Sequence, residues 1–312
     1  MLQALEDRTL FSAIHLSADG VLGVTGSGSA DQISVSVKKA RIYACVNGTH
    51  RWFTPASVAR VSVNGGAGDD RINLRGIAIP TTLKGGAGND SLIGGSTADR
   101  IYGNSGDDQL FGGGGNDRLD GGLGADLLSG GAGNDAADYS TRTENLALSL
   151  DGMANDGAAD IVNADTSCEL DNIDASVECI LSGKGNDHLE GSTNADYIDA
   201  GGGNDTIHGL AGRDTLCGGA GNDFISGGED TDRLNGGAGN DSLYGQGGKN
   251  NFLIGGDGND LLDMSNGSTS DAADGGAGKD TAIRDWGPGD DGMGDINFDN
   301  IRNIEDWSYT FD

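Results

Sequence analysis

Aliphatic residues recur every ninth position through two long stretches of the chain, inside a phrase that reads G-G-x-G-x-D-x-apolar-x. Residues 85–93 (GGAGNDSLI) and 218–226 (GGAGNDFIS) are complete copies. The apolar residue stands at position 8 of the phrase, and positions 7 and 9 are mostly polar. Because side chains alternate across a strand, this pattern predicts a short strand with one inward side chain per repeat. The position-8 residues of the two stretches include Leu92, Ile101, Leu110, Leu119, Leu128, Leu189, Ile198, Ile207, Leu216, Ile225, Leu234 and Leu243.

Seventeen nine-residue frames can be placed, of which 16 carry Asp at position 6. Six frames run without a gap over residues 85–138, eight run over residues 182–253, and isolated frames begin at residues 65, 255 and 275. In this alignment Asn250 takes position 6 of the eighth frame and Ile254 is an extra residue. We therefore expect a weak point at residues 245–254. The two runs resemble each other, which indicates an internal duplication.

The first six residues of a frame are predicted to form a turn. Glycines at positions 1, 2 and 4 favour a positive φ. Position 5 is Asn in eight frames, among them Asn89 and Asn186. Asn tolerates the left-handed region, so we expect that conformation there. Turn, strand, turn and strand make a coil of 18 residues, and stacked coils at about 4.8 Å predict an all-β fold, a parallel β-roll or β-solenoid.

Composition changes the picture, because a conventional hydrophobic core is not available. Glycine accounts for 58 of 312 residues, and aromatic residues make up 5%. The entropy cost of ordering so much glycine needs another source of stability. The 49 acidic residues outnumber the 19 basic ones, for a net charge of −30. This sign disfavours nucleic acid as a partner. No stretch approaches 18 apolar residues, so no transmembrane segment is expected.

The acidic residues lie in phase with the glycines, which points to metal ligands. Stacked loops place each position-6 carboxylate beside main-chain carbonyls of the next loop on the same side. Such an all-oxygen set suits Ca²⁺ better than Mg²⁺, which demands a stricter octahedron, or Zn²⁺, which prefers His and Cys. The predicted ligands are Asp70, Asp90, Asp99, Asp108, Asp117, Asp126, Asp135, Asp187, Asp196, Asp205, Asp214, Asp223, Asp232, Asp241, Asp260 and Asp280.

These frames resemble the repeats-in-toxin (RTX) nonapeptide, also called the hemolysin-type calcium-binding repeat. The resemblance covers roughly residues 65–283. It implies calcium held between neighbouring loops and export to a calcium-rich medium, which gives an extracellular or cell-surface location. The ligand role that it implies does not extend to Asn250. Loops without glycine at position 4, where Thr97, Asn194 and Asp230 stand, are less certain sites.

One calcium ion per same-side pair of neighbouring frames gives about nine sites in the two runs. Their charge would offset more than half of the net −30. We therefore expect calcium to convert a disordered chain into a folded one, because the apo chain buries too little to fold alone. The bound carboxylates must be ionised, so we expect a depressed pKa for them in the calcium-bound fold.

Five segments are predicted. Residues 1–64 form an N-terminal β-rich cap, with a separate small sandwich as the alternative. Residues 65–140 form the first roll, residues 141–181 a spacer with short strands, and residues 182–283 the second roll. Residues 284–312 are a C-terminal cap or an export tail. Cys168 and Cys179 either pair across a hairpin or are free thiols, and four cysteines match no zinc motif.

No catalytic set is apparent. The four histidines, His15, His50, His188 and His208, form no H-E-x-x-H, and no G-x-S-x-G is present. We expect an exported, non-enzymatic, structural or adhesive calcium-binding protein. The alternative is the C-terminal export and folding module of a longer secreted enzyme or toxin. A third hypothesis, a carbohydrate-binding solenoid, needs a ladder of exposed aromatic rings, and the frames offer only scattered ones such as Tyr102, Tyr197 and Tyr244.

Overall fold

The computed structural model of the chain describes residues 13–158, 169–265, 271–285, 301–304 and 306–310. In this part of the chain the only helical element is a 3-10 turn at Pro55–Ser57. The strands are β1 (Ala13–Leu16), β2 (Val21–Thr25), β3 (Gln32–Lys38), β4 (Arg41–Val46), β5 (Thr49–Phe53), β6 (Arg60–Ala67), β7 (Arg71–Asn73), β8 (Thr81–Ala87), β9 (Ser91–Ile93), β10 (Arg100–Ser105), β11 (Gln109–Gly114), β12 (Arg118–Leu123), β13 (Leu127–Ala132), β14 (Ala136–Asp138), β15 (Leu146–Ser149), β16 (Gly157–Ala158), β17 (Asn172–Ile173), β18 (Cys179–Leu181), β19 (His188–Glu190), β20 (Tyr197–Asp199), β21 (Thr206–Ala211), β22 (Thr215–Ala220), β23 (Phe224–Glu229), β24 (Arg233–Ala238), β25 (Ser242–Gln246), β26 (Phe252–Asp257), β27 (Leu261–Asp263), β28 (Ala272–Ala277), β29 (Thr281–Asp285), β30 (Ile301–Arg302) and β31 (Asp306–Thr310).

The predicted all-β, parallel β-roll fold is confirmed. The described residues divide into two compact units, the first comprising residues 13–138, 152–155 and 169–177. In this unit one sheet runs β1-β2-β6-β8-β10-β12-β14, and the facing sheet runs β17-β13-β11-β9-β7-β3-β4-β5. The repeat strands pair in parallel, whereas β1 with β2 and the meander of β3, β4 and β5 pair antiparallel. The chain therefore alternates between two sheets as it winds.

The second unit comprises residues 139–151, 156–158 and 178–265, with the described residues beyond them. One of its sheets runs β18-β20-β22-β24-β26-β28-β30, and the other runs β16-β15-β19-β21-β23-β25-β27-β29-β31. Pairing is parallel throughout except between β15 and β16. Like the first unit, it is a roll built from two sheets in which the repeat strands pair in parallel.

The interior of each roll is filled by the position-8 side chains. Leu119, Leu128, Leu216 and Ile225 have no exposed surface, and the same is true of every position-8 residue named in the sequence pattern. Their neighbours at positions 7 and 9 point outwards and are mostly half-buried or exposed. One aliphatic side chain per nine residues makes a narrow core, so the loops must contribute to holding the coils together.

Most glycines at positions 2 and 4 have the expected positive φ, with Gly95, Gly183 and Gly185 as exceptions, but those at position 1 do not. Gly219 and Gly221 have φ of 102° and 136°, whereas Gly218 is outside the positive range. The expectation was wrong for position 1, where glycine is required by space. A Cβ on Gly218 would collide with the carboxylate of Asp223 in the same frame.

The expected left-handed conformation at position 5 is also wrong. Asn204 and Asn222 are not among the residues with positive φ. Instead, the side chains form a ladder on the loop surface, in which the backbone N–H of Asn222 donates to Oδ1 of Asn204 at 2.7 Å. Asn240 continues the row by donating to Oδ1 of Asn222 at 2.7 Å. Asn is thus favoured at position 5 because its side chain accepts an N–H from the next coil.

The eighth frame of the second run is aligned differently from the prediction. Phe252 pairs with Arg233 and Leu253 with Leu234, so Leu253 is the inward residue and position 6 is Asn251. The extra residue lies within the loop, where Asn250 has a φ of 62°, and Ile254 continues the strand. The following frames stay in register.

The frames that appear isolated in the sequence are joined to the rolls. β7 pairs with β9, β27 with β25, and β29 with β27, all in parallel. Our expectation that the frame of Asp280 stands alone is therefore wrong. The loops between these frames differ in length, which breaks the nine-residue period in the sequence although the strands stack regularly.

The five-segment division remains a prediction. Residues 141–181, predicted as a spacer, supply β15 to the second roll and β17 to the first, each by parallel pairing with a repeat strand. Between residues 13 and 64, β2 and β3 pair in parallel with β6 and β7. Cys168 lies outside the described residues, and so does most of the predicted C-terminal tail.

Candidate metal centre

All 16 predicted ligand aspartates are buried, with 4% or less of their surface exposed. Their carboxylates form hydrogen-bonded ladders along the edges of the rolls. In each ladder the backbone N–H of a position-6 residue donates to Oδ1 of the position-6 Asp one coil later. The N–H of Asp90 donates to Asp108, and that of Asp108 to Asp126, at 2.7 Å each. In the second roll Asp205 donates to Asp223 at 2.9 Å. One carboxylate oxygen therefore holds consecutive coils together.

The second oxygen of most of these carboxylates has no hydrogen-bond partner. Burying a charged oxygen without a partner is costly, so each one marks a place where a cation would be stabilising. The Oδ2 atoms in this state belong to Asp70, Asp90, Asp108, Asp117, Asp126, Asp205, Asp214, Asp223, Asp232, Asp241 and Asp260.

Most of the unpartnered oxygens lie beside the position-1 glycine of their own frame, whose missing side chain leaves room, and the exception is Asp205, which has Ala200 at position 1. A Cβ on Gly209 would lie 2.5 Å from Oδ2 of Asp214 and 2.5 Å from the carbonyl oxygen of Gly227, in the next coil. In the first roll, a Cβ on Gly112 would collide with Oδ2 of Asp117 and lie 2.5 Å from the carbonyl of Gly130. The missing side chain therefore leaves the carboxylate oxygen and a carbonyl oxygen of the next coil close together with no methyl group between them, which is the all-oxygen lining that calcium prefers.

Burial opposes ionisation of these carboxylates when no cation is present. It raises the pKa of Asp117 and Asp214 to about 7 and that of Asp126 to about 8. Hydrogen bonds from the preceding coil work in the opposite direction, while neighbouring carboxylates add to the increase. The pKa of these groups is therefore raised, not depressed, in the cation-free fold, because desolvation outweighs the single hydrogen bond.

Three frames have carboxylates whose Oδ2 is already hydrogen-bonded. Asp99 accepts the N–H of Gly95, and Asp196 accepts that of Ser192, at 2.6 Å each. Both frames lack the fourth glycine. Asp187 accepts the hydroxyl of Ser182, which replaces the position-1 glycine. At these three carboxylates a hydrogen bond already compensates part of the cost of burying Oδ2, so a cation would add less stability than at the others.

Further acidic residues belong to the ladders. The sequence places Asp31 in a degraded frame over residues 26–34, whereas Asp171 and Asp271 were missed. Asp31 donates its N–H to Asp70 at 2.7 Å, Asp126 donates to Asp171 at 2.9 Å, and Asn251 donates to Asp271 at 2.8 Å. Each of the three aspartates has an apolar residue two positions later, as in the repeat. The glycines that precede the Asp in a regular frame are partly or wholly missing. These ladder steps span 39, 45 and 20 residues instead of 18, so only a search for D-x-apolar with variable spacing would find them.

No group of three or more His, Cys, Asp or Glu side chains converges in the described part of the chain. This result agrees with sites that take one carboxylate and several main-chain oxygens, and it speaks against a zinc-type cluster among these residues. No helix there has the length and hydropathy needed to span a bilayer.

The aromatic rings are less scattered than the sequence suggests. On the outer face of the second roll, His188, His208, Phe224 and Tyr244 form a row across four neighbouring strands, with ring centroids 5.0–5.8 Å apart. The rings contact one another, so the row stabilises the sheet by cross-strand pairing. No base or nucleophile is hydrogen-bonded to either histidine in the described contacts.

The stacked coils, the buried carboxylate ladders and the glycine-lined spaces define a calcium-binding β-roll protein. Comparison with protein families matches residues 61–76, 81–110, 102–137, 181–216, 217–250 and 247–270 to the RTX calcium-binding nonapeptide repeat. Together these ranges cover more than half of the chain, which therefore belongs to this family. A search of curated proteins found no match.

Proposed function

We propose that this chain is an exported protein that folds when calcium binds and has a structural or adhesive role at the cell surface or outside the cell. The observation that carries the proposal is the row of buried Oδ2 atoms without hydrogen-bond partners. A fold that leaves so many carboxylates half-satisfied is unfavourable until a cation supplies the missing interaction.

The 16 position-6 aspartates are the proposed ligands, together with position-1 carbonyl oxygens of the following coils. Calcium supplies positive charge to a site where burial disfavours the carboxylate. The chain positions one carboxylate oxygen through the ladder and leaves the other aimed at the open space. About nine or more ions would be held in this way, one per same-side pair of coils.

Calcium-dependent folding is tested by far-ultraviolet circular dichroism. Calcium-stripped protein at pH 7.5 should lack a strong β signal and gain it cooperatively, with a midpoint on the order of 10⁻⁴–10⁻³ M calcium. Magnesium at the same concentrations is the control and should be much less effective. A strong β signal in chelator that calcium leaves unchanged would contradict the proposal.

We further propose that the chain has no catalytic activity of its own. The support is that its conspicuous acidic residues belong to ladders and that its histidines have no catalytic partners in the described contacts. Assays against peptide, ester and glycosidic substrates in millimolar calcium should show no turnover. Turnover that is abolished by a substitution outside the ladders would contradict this.

The alternative function is a calcium-dependent export and folding module of a longer secreted enzyme or toxin. The same carboxylate ladders support it equally well. Sequencing the messenger RNA around the codon for Met1 separates the two, because a module would be continuous with a further coding segment.

A further inference from the structure

We propose that the side-chain amide of Asn251 takes the place of a calcium ion, so that its coil is closed without metal. The inference rests on the proposed role of the position-6 aspartates as ligands. Asn251 occupies position 6 in a ladder that otherwise reads Asp196, Asp214, Asp232 and Asp271. It is fully buried.

The Oδ1 atom of Asn251 does what a ladder carboxylate does. It accepts the backbone N–H of Asp232 at 2.8 Å, and the N–H of Asn251 donates to Oδ1 of Asp271 at 2.8 Å. Register is therefore preserved through this coil. Asn251 differs from a ladder aspartate at its Nδ2 atom, which stands where the carboxylate has Oδ2.

The Nδ2 atom of Asn251 donates to the carbonyl of Gly245 at 3.2 Å and to that of Gly247 at 2.9 Å. These are main-chain oxygens of the loop in its own frame, and the amide has two hydrogens with which to satisfy them. The orientation of the amide follows from the surroundings, since the N–H of Asp232 needs an acceptor and the two carbonyls need donors. An amide nitrogen thus bridges loop oxygens where other frames have an unpartnered carboxylate oxygen.

The space beside the position-1 glycine is also different here. A Cβ on Gly245 would have Nδ2 of Asn251 as its nearest neighbour, at 3.1 Å, and no carbonyl oxygen among its three nearest atoms. At the matching Gly236, the Cβ would collide with Oδ2 of Asp241 and lie 2.6 Å from the carbonyl of Gly255. The oxygen-lined space is present at Asp241 and closed at Asn251.

The preceding site on this ladder is affected as well. A Cβ on Gly227 has only atoms of Asp232 as its three nearest neighbours, whereas the next-coil carbonyl is among them at Gly209 and Gly218. The carbonyl that would fill this role belongs to Gly245, and it accepts the hydrogen bond from Asn251 instead. The hydrogen bond from Asn251 therefore competes with calcium for the carbonyl oxygen that the Asp232 site would use.

The residues 245–254 are then a coil that needs no calcium, rather than the weak point that the missing acid indicated. Changing Asn251 to Asp should replace two donors by an acceptor that faces the same carbonyls. Without a cation these oxygens repel one another, and with calcium they become ligands. The substitution should create a site.

The test is the number of calcium ions bound by the full chain, counted by native mass spectrometry, combined with thermal unfolding at two calcium concentrations. Asn251→Asp should bind at least one ion more than the wild type. Its melting temperature should be lower than that of the wild type in limiting calcium and higher in saturating calcium. Asn251→Ala should lower the melting temperature at both concentrations and leave the ion count within one of the wild type.

Asp241→Asn, in the neighbouring frame, is the matched control and should lose one ion. If Asp241→Asn loses an ion and Asn251→Asp gains none, or fails to fold in saturating calcium, the inference is wrong and the proposed function stands. If Asp241→Asn leaves the ion count unchanged, the ligand assignment on which both rest is wrong.

Discussion

The backbone N–H of Asp108 donates a 2.7 Å hydrogen bond to Oδ1 of Asp126, whose Oδ2 lies buried without a hydrogen-bond partner. One side chain thus has two separable tasks, joining coils with one oxygen and facing a cation with the other. The same division is found at each regular frame of both rolls.

The two tasks can be separated at Asp117, whose Oδ1 accepts the N–H of Asp99 at 2.8 Å. Asp117→Asn keeps an acceptor and removes the charge, so it should lose one calcium ion and raise the calcium midpoint of folding. Asp117→Ala should also lose the ladder bond, at a further cost of about 1–3 kcal/mol in saturating calcium, because a buried N–H loses its acceptor. Calcium titration followed by urea unfolding measures both effects. Equal unfolding free energies for the two variants would show that the ladder bond is not stabilising.

Size at position 1 should control whether a site accepts calcium. Gly218→Ala introduces a methyl group that collides with Asp223 and lies 2.8 Å from the carbonyl of Gly236, without backbone strain, since φ is not positive. We expect the loss of one ion and a destabilisation of about 1–3 kcal/mol from overpacking.

Ala200 provides the reverse experiment, because it stands at position 1 of the frame whose Asp205 has an unpartnered Oδ2. Ala200→Gly should tighten calcium binding at one site, as measured by isothermal titration calorimetry. If neither Gly218→Ala nor Ala200→Gly changes the number of calcium ions bound, the size of the position-1 residue does not control calcium binding.

The calcium-free protein should be more stable in acid. Burial raises the pKa of Asp108 and Asp205 to about 7 and that of Asp126 to about 8, against an ordinary value of 3.8. The folded state then binds more protons than the unfolded state between about pH 4 and pH 8, so stability falls as pH rises through this window.

Circular dichroism of calcium-stripped protein should accordingly show more β structure at pH 5 than at pH 8. The calcium midpoint should be higher at pH 5, because protons compete with calcium for the same oxygens. Sedimentation velocity is the control for precipitation near the sequence pI of about 4.1. A β signal that increases with pH in the absence of calcium would contradict the raised pKa values.

The narrow core should make single aliphatic residues costly to truncate. Leu119 is completely buried, and its strand pairs with β10 on one side and β14 on the other. Leu119→Ala should lower the unfolding free energy in saturating calcium by about 2–5 kcal/mol. The exposed, outward Arg100 of the neighbouring strand β10 is the control, and Arg100→Lys should have a much smaller effect.

Much of this structure follows from one period in the sequence. The inward row that contains Leu119 and the carboxylate row that contains Asp117 are both fixed by the nine-residue phrase. The phrase could not predict the physical reason for each residue that recurs in it. Gly218 is small because of a neighbouring carboxylate and not because of φ, and Asn222 is favoured as a hydrogen-bond acceptor. The carboxylate beside Gly218 belongs to Asp223 of its own frame, whereas the donor to Asn222 is Asn240 of the next coil, 18 residues away.

Irregular frames were the other source of error. Placing position 6 at Asn250 assumed that extra residues fall between frames, whereas the roll accommodates them in the exposed loop and keeps the strands aligned. Asp171 and Asp271 were missed for the same reason, since their loops had lost the glycines but not the ladder position. Strand pairing fixes register more strongly than loop length does.

The open space beside most position-1 glycines means that calcium content can be changed one ion at a time. A methyl group at position 1 closes a site, and an amide at position 6 closes it while keeping the coil in register. Protein engineers could therefore set the number of ions in such a roll, and with it the calcium concentration at which it assembles, by choosing residues at two positions per repeat.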